Sequence, residues 1–344
     1  MLSPRSTADA LCVRRASPAD LPAIAELVRL AEGSEYDIKI VPEHHVWIAF
    51  AGDKAVGITM LESRILRWGD CEYRAGYWTN LFVHEDYRKT TLYTRLVFTM
   101  FRGAEEAGLD FMYAAVRRAQ VAQAHLACGM CKIGELPVFG IPLRPASLIA
   151  KYKRLGGAVV RLSPFPDSAY AVWLRLRRWS PSRGFSVAPL EWNSSEVPQL
   201  LDMLRHSAVG RVHQVWTPDS FRHRFKAPLD GTPYTLLGVR REGCLVGGAV
   251  YRVAERKQIR AGIVLVLFHV RDESRAAQVC MREVERRAWQ EGAEVLLCLG
   301  GGPGYVKSPE TYILMWRKSA VAPEDLPPAD LSQWSFAFAD HDAF

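Results

Sequence analysis

The chain has 344 residues, of which 49% are hydrophobic and 24% charged, and its formal net charge is +7. These values are typical of a globular protein with room for two domains of roughly 150 residues, and no apolar run reaches the roughly 18 residues of a membrane-spanning helix. With no signal-peptide pattern and no nucleic-acid-binding motif, we expect a cytoplasmic protein whose ligands are polyanions other than nucleic acid.

The first half of the chain predicts a regular series of elements. Residues 13–28 predict a strand followed by an amphipathic helix, and residues 46–61 predict a hairpin with a Gly-Asp turn. A strand then leads through a turn into a helix within residues 77–102, and another strand follows at 111–116.

The second half repeats this order. Residues 187–204 predict a strand and a helix, residues 234–253 a hairpin, and residues 276–299 a helix followed by a strand. Equivalent elements lie on the order of 180 residues apart, which indicates a duplicated domain rather than a solenoid.

A connector, residues 141–185, separates the two copies and is rich in proline and in basic residues. From Arg144 to Arg183 it contains nine Lys or Arg residues and one acid, Asp167. Residues 168–180 predict a basic amphipathic helix. The pattern is typical of a segment that covers a domain face, and contact with an acidic substrate or a membrane surface is the alternative.

The C-terminal tail, residues 321–344, is rich in proline and aspartate but also contains Trp334, Phe336, Phe338 and Phe344. Because a tail of this kind gains stability by burying its aromatic rings, we predict that it docks onto the body of the protein.

Seven cysteines are scattered along the chain. Cys128 and Cys131 form a CxxC pattern, but no second pair completes a zinc site and no thioredoxin-like context surrounds them. We therefore expect reduced, mostly buried thiols and no bound metal.

The turn within residues 77–102 carries the clearest ligand signal. It contains Arg88, Lys89, Thr90 and Thr91 and leads directly into a helix. The first N–H groups of a helix have no intrahelical partner and the helix dipole is positive there. The pattern predicts a phosphate or pyrophosphate site, with a solvated basic turn as the alternative.

The order of elements and the residues of this turn resemble the GNAT superfamily of acyl-CoA N-acyltransferases, here as a tandem pair. The resemblance covers about residues 11–140 and 185–318. It implies an α/β (α+β) fold of two domains, 11–140 and 186–320, each with a mixed, mostly antiparallel sheet flanked by helices.

In that family an Arg or Gln, two residues, Gly, one residue and then Gly or Ala follow the fourth strand, and their amides hold the pyrophosphate of coenzyme A. Arg88 matches the first position, while Thr91 and Tyr93 replace the two glycines. The resemblance implies an acyl-CoA cosubstrate. Its expected contacts are Leu81, Phe82 and Val83 on the fourth strand and Arg88, Lys89, Thr90, Thr91, Leu92 and Tyr93 at the turn.

The family also has a Tyr, four residues before a Gly-Phe pair, that often protonates the departing thiolate. Here the segment HLACGM places His125 at the Tyr position and Gly129-Met130 at the Gly-Phe position. The resemblance implies that His125 is the acid, with Tyr113 and Asn80 as the other candidate catalytic residues.

The second copy departs further from the family pattern. Its equivalent turn contains Asp272 and Glu273, two carboxylates that would repel a pyrophosphate. We therefore interpret the second copy as degenerate and the first as catalytic.

The implied reaction is attack by a small amine or amino sugar on the thioester of an acyl-CoA such as acetyl-CoA. A backbone N–H near residues 81–83 would bind the oxyanion. No residue stands out as the general base, and deprotonation of the amine through water is compatible with this chemistry. The residues predicted to line the acceptor cleft are Glu35, Tyr36, Asp37 and Tyr77.

Two alternatives remain open on the sequence. The chain is a GNAT-fold sensor or scaffold that binds acyl-CoA or another ligand without transfer, or it accepts the acyl group from an acyl carrier protein docked on the basic connector. A monomer is expected because the two copies would form a pseudo-dimer within one chain.

Overall fold

A computed structural model describes residues 11–32, 44–179, 183–226, 231–256, 258–270 and 273–340. The strands of these residues are β1 (Leu11–Arg15), β2 (His44–Ala51), β3 (Lys54–Trp68), β4 (Cys71–Val83), β5 (Phe111–Val116), β6 (Cys131–Pro142), β7 (Phe185–Pro189), β8 (His213–Gln214), β9 (Thr235–Arg241), β10 (Cys244–Arg256), β11 (Ile259–His269), β12 (Val295–Leu299) and β13 (Val306–Lys318).

The α-helices of the same residues are α1 (Leu21–Glu32), α2 (Leu92–Glu106), α3 (Ala119–Ala127), α4 (Pro145–Tyr152), α5 (Gly157–Leu162), α6 (Pro164–Arg177), α7 (Val197–Ser207), α8 (Pro218–Lys226) and α9 (Ser274–Gln290). None of the helices in these ranges is both long and apolar enough to cross a membrane.

The chain divides into two compact units that are discontinuous in sequence. Unit 1 extends to Glu135 and adds Tyr312–Trp334, while unit 2 contains Leu136–Thr311 and continues from Ser335. Each unit therefore takes in a piece of strand from the other sequence copy. The continuous boundaries 11–140 and 186–320 stay a prediction about the duplication.

Unit 1 contains a sheet in the order β1-β2-β3-β4-β5-β13. Its neighbours are antiparallel except for β4 and β5, which are parallel. Helix α2 packs on this sheet through Leu92, Leu96, Val97, Met100, Phe101 and Ala104, which recur at helical spacing and are all buried. Gly103 permits the close approach, since a Cβ there would lie 2.4 Å from the ring of Trp47.

Unit 2 repeats this arrangement with a sheet in the order β6-β12-β11-β10-β9-β7. Its neighbours are antiparallel except for the parallel pair β11 and β12. Helix α9 packs against its core through Ala276, Val279, Cys280, Val284 and Ala288. The predicted fold class, a mixed and mostly antiparallel sheet flanked by helices, is confirmed.

One local motif occurs in both units and supports the duplication. In unit 1 the Asp110 carboxylate accepts from the backbone N–H of Arg74 at 2.7 Å, and the Arg74 carbonyl accepts from the N–H of Asp110 at 2.7 Å. In unit 2 Glu294 and Arg260 make the same two bonds, at 3.0 and 2.7 Å. Each acid follows a helix that ends at a glycine with positive φ, Gly108 or Gly292.

The described part of the tail docks by its aromatic residues, as predicted. In unit 1 the buried Trp334 ring lies 6.3 Å from Phe111 and 6.1 Å from Tyr113, and its Nε1 donates to the Pro328 carbonyl at 2.8 Å. Phe338 is buried within unit 2. Phe344 lies outside the described residues.

Candidate functional site

The two parallel strands of unit 1 diverge. β4 and β5 pair where Ala75 to Tyr77 lie opposite Phe111 to Tyr113, whereas β4 continues to Val83. Beyond this short pairing one edge of β4 has no partner in β5, so its backbone N–H and C=O groups are available to a ligand. This is the strand on which the resemblance places the expected acyl-CoA contacts of Leu81, Phe82 and Val83.

Asn80 lies where β4 bends. Its φ of +48° is in the left-handed region, which asparagine tolerates better than most residues. The register of β3 against β4 shifts at the same place, between Ile58 and Met60. A bulge bends its strand and re-aims the residues that follow, which here are Leu81, Phe82 and Val83.

The turn after β4 is ordered by its own side chains. Arg88 Nε donates to the Val83 carbonyl at 3.1 Å, and the Thr90 hydroxyl donates to the Tyr87 carbonyl at 2.7 Å and accepts from the N–H of Leu92 at 3.2 Å. Thr91 has φ −75°, so its side chain does not strain the turn. The fold therefore tolerates threonine at this glycine position.

The turn also presents groups suited to an anion. The side chains of Arg88, Lys89, Thr90 and Thr91 are exposed, whereas Leu92 is buried and offers backbone alone. Within the ranges that the structure describes, the N–H groups of Lys89, Thr91 and Tyr93 have no acceptor. Two cations and three amides thus lie at the start of α2, where the helix dipole is positive.

Tyr93 points inward from this turn and contacts His125. The Tyr93 hydroxyl lies 2.9 Å from Nδ1 of His125. The imidazole stacks on Trp78 with ring centroids 4.0 Å apart and an interplanar angle of 7°. Trp78 Nε1 in turn donates to the Thr59 hydroxyl at 2.8 Å. Trp78 is the first residue of β4 beyond the pairing with β5, so this cluster borders the opening between the strands.

Burial sets the protonation of the pair. It lowers the pKa of His125 to about 4, so the imidazole is neutral near pH 7, and it raises the pKa of Tyr93 above its usual range. The phenol therefore keeps its proton, and the direction of its hydrogen bond with Nδ1 follows the tautomer of the imidazole. A neutral imidazole that accepts at Nδ1 carries its own hydrogen on Nε2.

Cys128 belongs to the same buried cluster. Its thiol interacts with the Tyr93 hydroxyl, and burial raises the pKa of the thiol. The backbone carbonyl of Cys128 accepts from Arg317 at 3.2 Å, and Arg317 also lies over the ring of Phe101. The thiol stays protonated near neutral pH. All seven cysteines are free, as expected, but Cys12, Cys71, Cys131 and Cys244 are exposed, so the prediction of mostly buried thiols is wrong.

Tyr77 and Tyr113 lie in a different cluster, because adjacent residues of a strand point to opposite faces and Tyr77 precedes Trp78. Their rings are 5.1 Å apart. Arg64 lies 4.2 Å from the Tyr77 ring, donates to the Tyr113 hydroxyl at 3.3 Å and pairs with Glu62 at 2.6 Å. The structure therefore does not bring Tyr113 together with His125.

Some residues of the site were predicted but are not described, and others were not predicted. Glu35, Tyr36 and Asp37, predicted to line the acceptor cleft, lie outside the described residues. The sequence did not predict the stacking of Trp78 on His125 or the contact between Tyr93 and His125, because Tyr93 and His125 lie 32 positions apart in the chain. No distinct sequence signal marks the buried Arg64, because the same strand also contains the charged residues Lys54, Glu62 and Arg67.

The Acetyltransferase (GNAT) family model matches residues 17–130, the segment that contains the diverging strand, the turn and the Tyr93–His125 pair. A tandem GNAT protein from the clavulanic acid biosynthesis pathway aligns with 92% of this chain and 100% of that chain, at a TM-score of 0.60 and 11% identity. Residues 17–130 therefore match the GNAT family, and the fold of the chain is similar to that of a tandem GNAT protein.

Two further solved structures resemble this chain in fold. One is a conserved Enterococcus faecalis V583 protein described as a probable N-acyltransferase, with 9% identity, a TM-score of 0.63 and coverage of 91% of this chain and 73% of that chain. The other is Saccharomyces cerevisiae N-myristoyltransferase with bound myristoyl-CoA, with 10% identity, a TM-score of 0.60 and coverage of 91% and 84%.

Identities this low show a shared fold. No curated protein matches the sequence. The GNAT family match supports acyl transfer as the general class of chemistry, and the acceptor is a separate question.

Proposed function

We propose that unit 1 is an acyl-CoA-dependent N-acyltransferase, in its simplest form an N-acetyltransferase, that acts on a small amine or amino sugar. The observation that carries the proposal is the divergence of β4 from β5 beside the Tyr93–His125 pair. It places an open strand edge, which an extended thioester arm can pair with, beside a buried hydrogen-bonding pair.

The turn supplies the pyrophosphate site in this proposal. Arg88 and Lys89 provide charge, and the amides of Thr91 and Tyr93 provide donors at the positive end of α2. Glycine is absent from both family positions, but the negative φ of Thr91 and the inward direction of Tyr93 keep the outer side of the turn clear.

The chemical step begins with attack of the amine nitrogen on the thioester carbonyl carbon. A backbone N–H of Leu81–Val83 stabilises the oxyanion, and the carbon–sulfur bond breaks as the carbonyl re-forms. His125 is neutral, so its Nε2–H stabilises the thiolate as a hydrogen-bond donor, with Tyr93 fixing the tautomer. The proton lost by the amine reaches the thiolate through water.

A second candidate function is a GNAT-fold sensor that binds acyl-CoA without transfer. Two observations favour it: Thr91 and Tyr93 replace glycines at the turn, and Tyr93 is engaged by His125 within the protein. Both candidates require the same ligand at the same turn, so binding and turnover must be measured separately.

The test of binding is thermal or chemical unfolding with and without coenzyme A and acetyl-CoA. Ligand at about one hundred times its dissociation constant adds about 2.7 kcal/mol to the free energy of unfolding. Arg88→Glu should abolish this gain, because it places a negative charge beside the pyrophosphate. Lys318→Glu, at an exposed position of the same unit, is the matched control and should keep the gain.

Release of free thiol from acetyl-CoA across a panel of amines and amino sugars then separates the two functions. Thiol release that depends on the amine supports the transferase. Stabilisation by acetyl-CoA without thiol release favours the sensor, and absence of stabilisation contradicts both.

A further inference from the structure

Helix α6 is apolar on two opposite sides. Asp167, Ala171 and Leu174 are buried against unit 2, and Leu174 is 0% exposed. Phe165, Val172 and Leu176, at intervals of seven and four residues, lie on the opposite side of the helix and remain in solvent. Phe165 is 74% and Leu176 73% exposed. A surface helix of a globular protein normally has one apolar side, so the outer one needs an explanation.

The two preceding helices extend this exposed surface. Among the described residues, nine of the eighteen large hydrophobic side chains that are exposed lie between Ile149 and Leu176. We call them the outer face, and they are Ile149, Tyr152, Leu155, Val159, Leu162, Phe165, Val172, Trp173 and Leu176. So dense a group of exposed apolar side chains marks an interaction surface.

Contacts among α4, α5 and α6 and with the rest of unit 2 hold the inner side of these helices in place. The outer face therefore remains exposed. The Asp167 carboxylate accepts from the N–H groups of Ala146 and Ser147 at 2.8 and 3.0 Å, so α6 caps the start of α4. Arg178, at the end of α6, pairs with the buried Glu285 at 2.5 Å.

The charge of this segment has a single sign. Asp167 is the one acid between Leu136 and Leu190, and it is buried within the helix contacts described above. Lys153, Arg154 and Arg161 are exposed beside the apolar side chains of the outer face. Every exposed charge in the described part of α4–α6 and their connections is therefore positive.

We propose that the outer face docks on an anionic membrane surface. The apolar side chains enter the boundary between headgroups and acyl chains, and the cations contact the lipid phosphates. The geometry favours a bilayer over a second copy of this chain, because two basic faces would repel one another in a symmetric dimer. An acidic carrier protein would complement the charge alone, whereas an anionic bilayer complements both the charge and the apolar side chains.

Cosedimentation of the full chain with vesicles tests this proposal, which does not depend on the acyl-transfer activity. We expect binding to phosphatidylcholine vesicles that contain phosphatidylglycerol, weaker binding to phosphatidylcholine alone, and loss of the difference at high salt.

The variant Phe165→Ser/Leu176→Ser should lower the partition coefficient about tenfold or more. Its matched control, Val209→Ser/Val306→Ser, changes two exposed valines elsewhere in unit 2 and should bind like the wild type.

The charge variant Lys153→Glu/Arg161→Glu should weaken binding to anionic vesicles by about fivefold for each cation and leave binding to phosphatidylcholine unchanged. Lys226→Glu/Lys307→Glu, two exposed lysines outside the outer face, is its control.

Quenching by brominated lipid gives a readout in the unaltered protein, since Trp173 lies in the outer face and is 52% exposed. We expect quenching that Trp173→Phe largely removes. Absence of binding to anionic vesicles, equal losses in the control variants, or binding to a holo-acyl carrier protein in place of vesicles would each overturn the proposal.

Discussion

Unit 1 and unit 2 have the same strand-to-helix junction but carry different charged groups there. In both, a long strand pairs in parallel with a short one at three positions and then continues beyond it, so that one edge loses its partner: β4 beyond β5, and β11 beyond β12. In both, a turn then leads into the longest helix of the unit among the described residues. The shared scaffold therefore provides the open strand edge twice.

The two junctions differ in what they leave available. In unit 1 the cations Arg88 and Lys89 are exposed at the turn. In unit 2 Glu273 pairs with Arg241 at 2.7 Å, and Arg275 lies over the ring of Phe185. Glu273 and Arg275 at the second junction thus already interact with other residues of unit 2. This agrees with the proposal that the first copy is the catalytic one.

The segment after the short strand differs as well. In unit 1, α3 follows β5 and carries His125, whereas in unit 2 residues 300–305 connect β12 directly to β13. Counting back from Gly108 and Gly292, Phe101 of α2 corresponds to Glu285 of α9, which is fully buried. The two units thus share a backbone arrangement, but in unit 2 the buried polar group Glu285 stabilises the fold.

The largest expected effect concerns the buried polar cluster of unit 2. Glu285 accepts from Arg178 at 2.5 and 2.6 Å and from the Tyr305 hydroxyl at 2.9 Å. Glu285→Ala leaves a half-buried cation without its partner and should lower the free energy of unfolding by about 3–5 kcal/mol in urea denaturation. Glu283→Ala, which breaks more exposed pairs on the same helix, should cost about 1 kcal/mol or less. Equal losses of unfolding free energy in the two variants would contradict a dominant stabilising role for Glu285.

The second prediction uses the buried histidine, for which unit 2 has no counterpart in α9 or the 300–305 connection. A histidine whose folded pKa is lowered to about 4 resists protonation in the native state, while the unfolded chain takes up the proton below about pH 6.5. Stability is therefore present at neutral pH and is lost as the pH falls from about 6.5 toward 4.

His125 should account for about 2–2.5 kcal/mol of the stability lost between about pH 7 and pH 4.5. His125→Phe keeps a ring against Trp78 and should remove this part of the pH dependence, as measured by urea unfolding at both pH values. His206→Gln, at an exposed histidine of α7, is the control; an unaltered pH profile in His125→Phe would refute the assignment.

The third prediction tests the donor pair of unit 1. Tyr93→Phe removes the hydroxyl that fixes the His125 tautomer, so thiol release should fall roughly 10- to 100-fold while stabilisation by coenzyme A persists. Tyr234→Phe, a buried tyrosine of unit 2, should leave thiol release unchanged. Loss of coenzyme A binding together with activity would instead assign the Tyr93 hydroxyl to coenzyme A binding.

The smallest effect is expected at the second junction. Arg241→Ala removes the partner of Glu273, but the Arg241 side chain is about half exposed, so the free energy of unfolding should change by about 0.2–1 kcal/mol. Stabilisation by coenzyme A should not change. A change in that stabilisation would place a ligand site in unit 2 and break the comparison.

Much of the fold could be predicted because its signals are local. The first hairpin turn is predicted from Gly52-Asp53 and the turn within residues 234–253 from Arg241-Glu242-Gly243. The structure gives positive φ to Gly52, Glu242 and Gly243. The apolar spacing after Thr91 predicted a helix that the structure places at Leu92–Glu106. Such patterns depend on backbone preferences and on which side of an element is apolar, both of which the sequence encodes directly.

By itself, the sequence determined the duplicated order of elements, the basic turn and the basic connector. Tertiary structure alone decided that Leu136–Pro142 belongs with unit 2 and Tyr312–Lys318 with unit 1, that Tyr93 meets His125, and that Arg64 lies under Tyr77. The physical reason is that strand partners, buried contacts and the pKa of His125 depend on which surfaces meet in space, and residues far apart in sequence supply those surfaces.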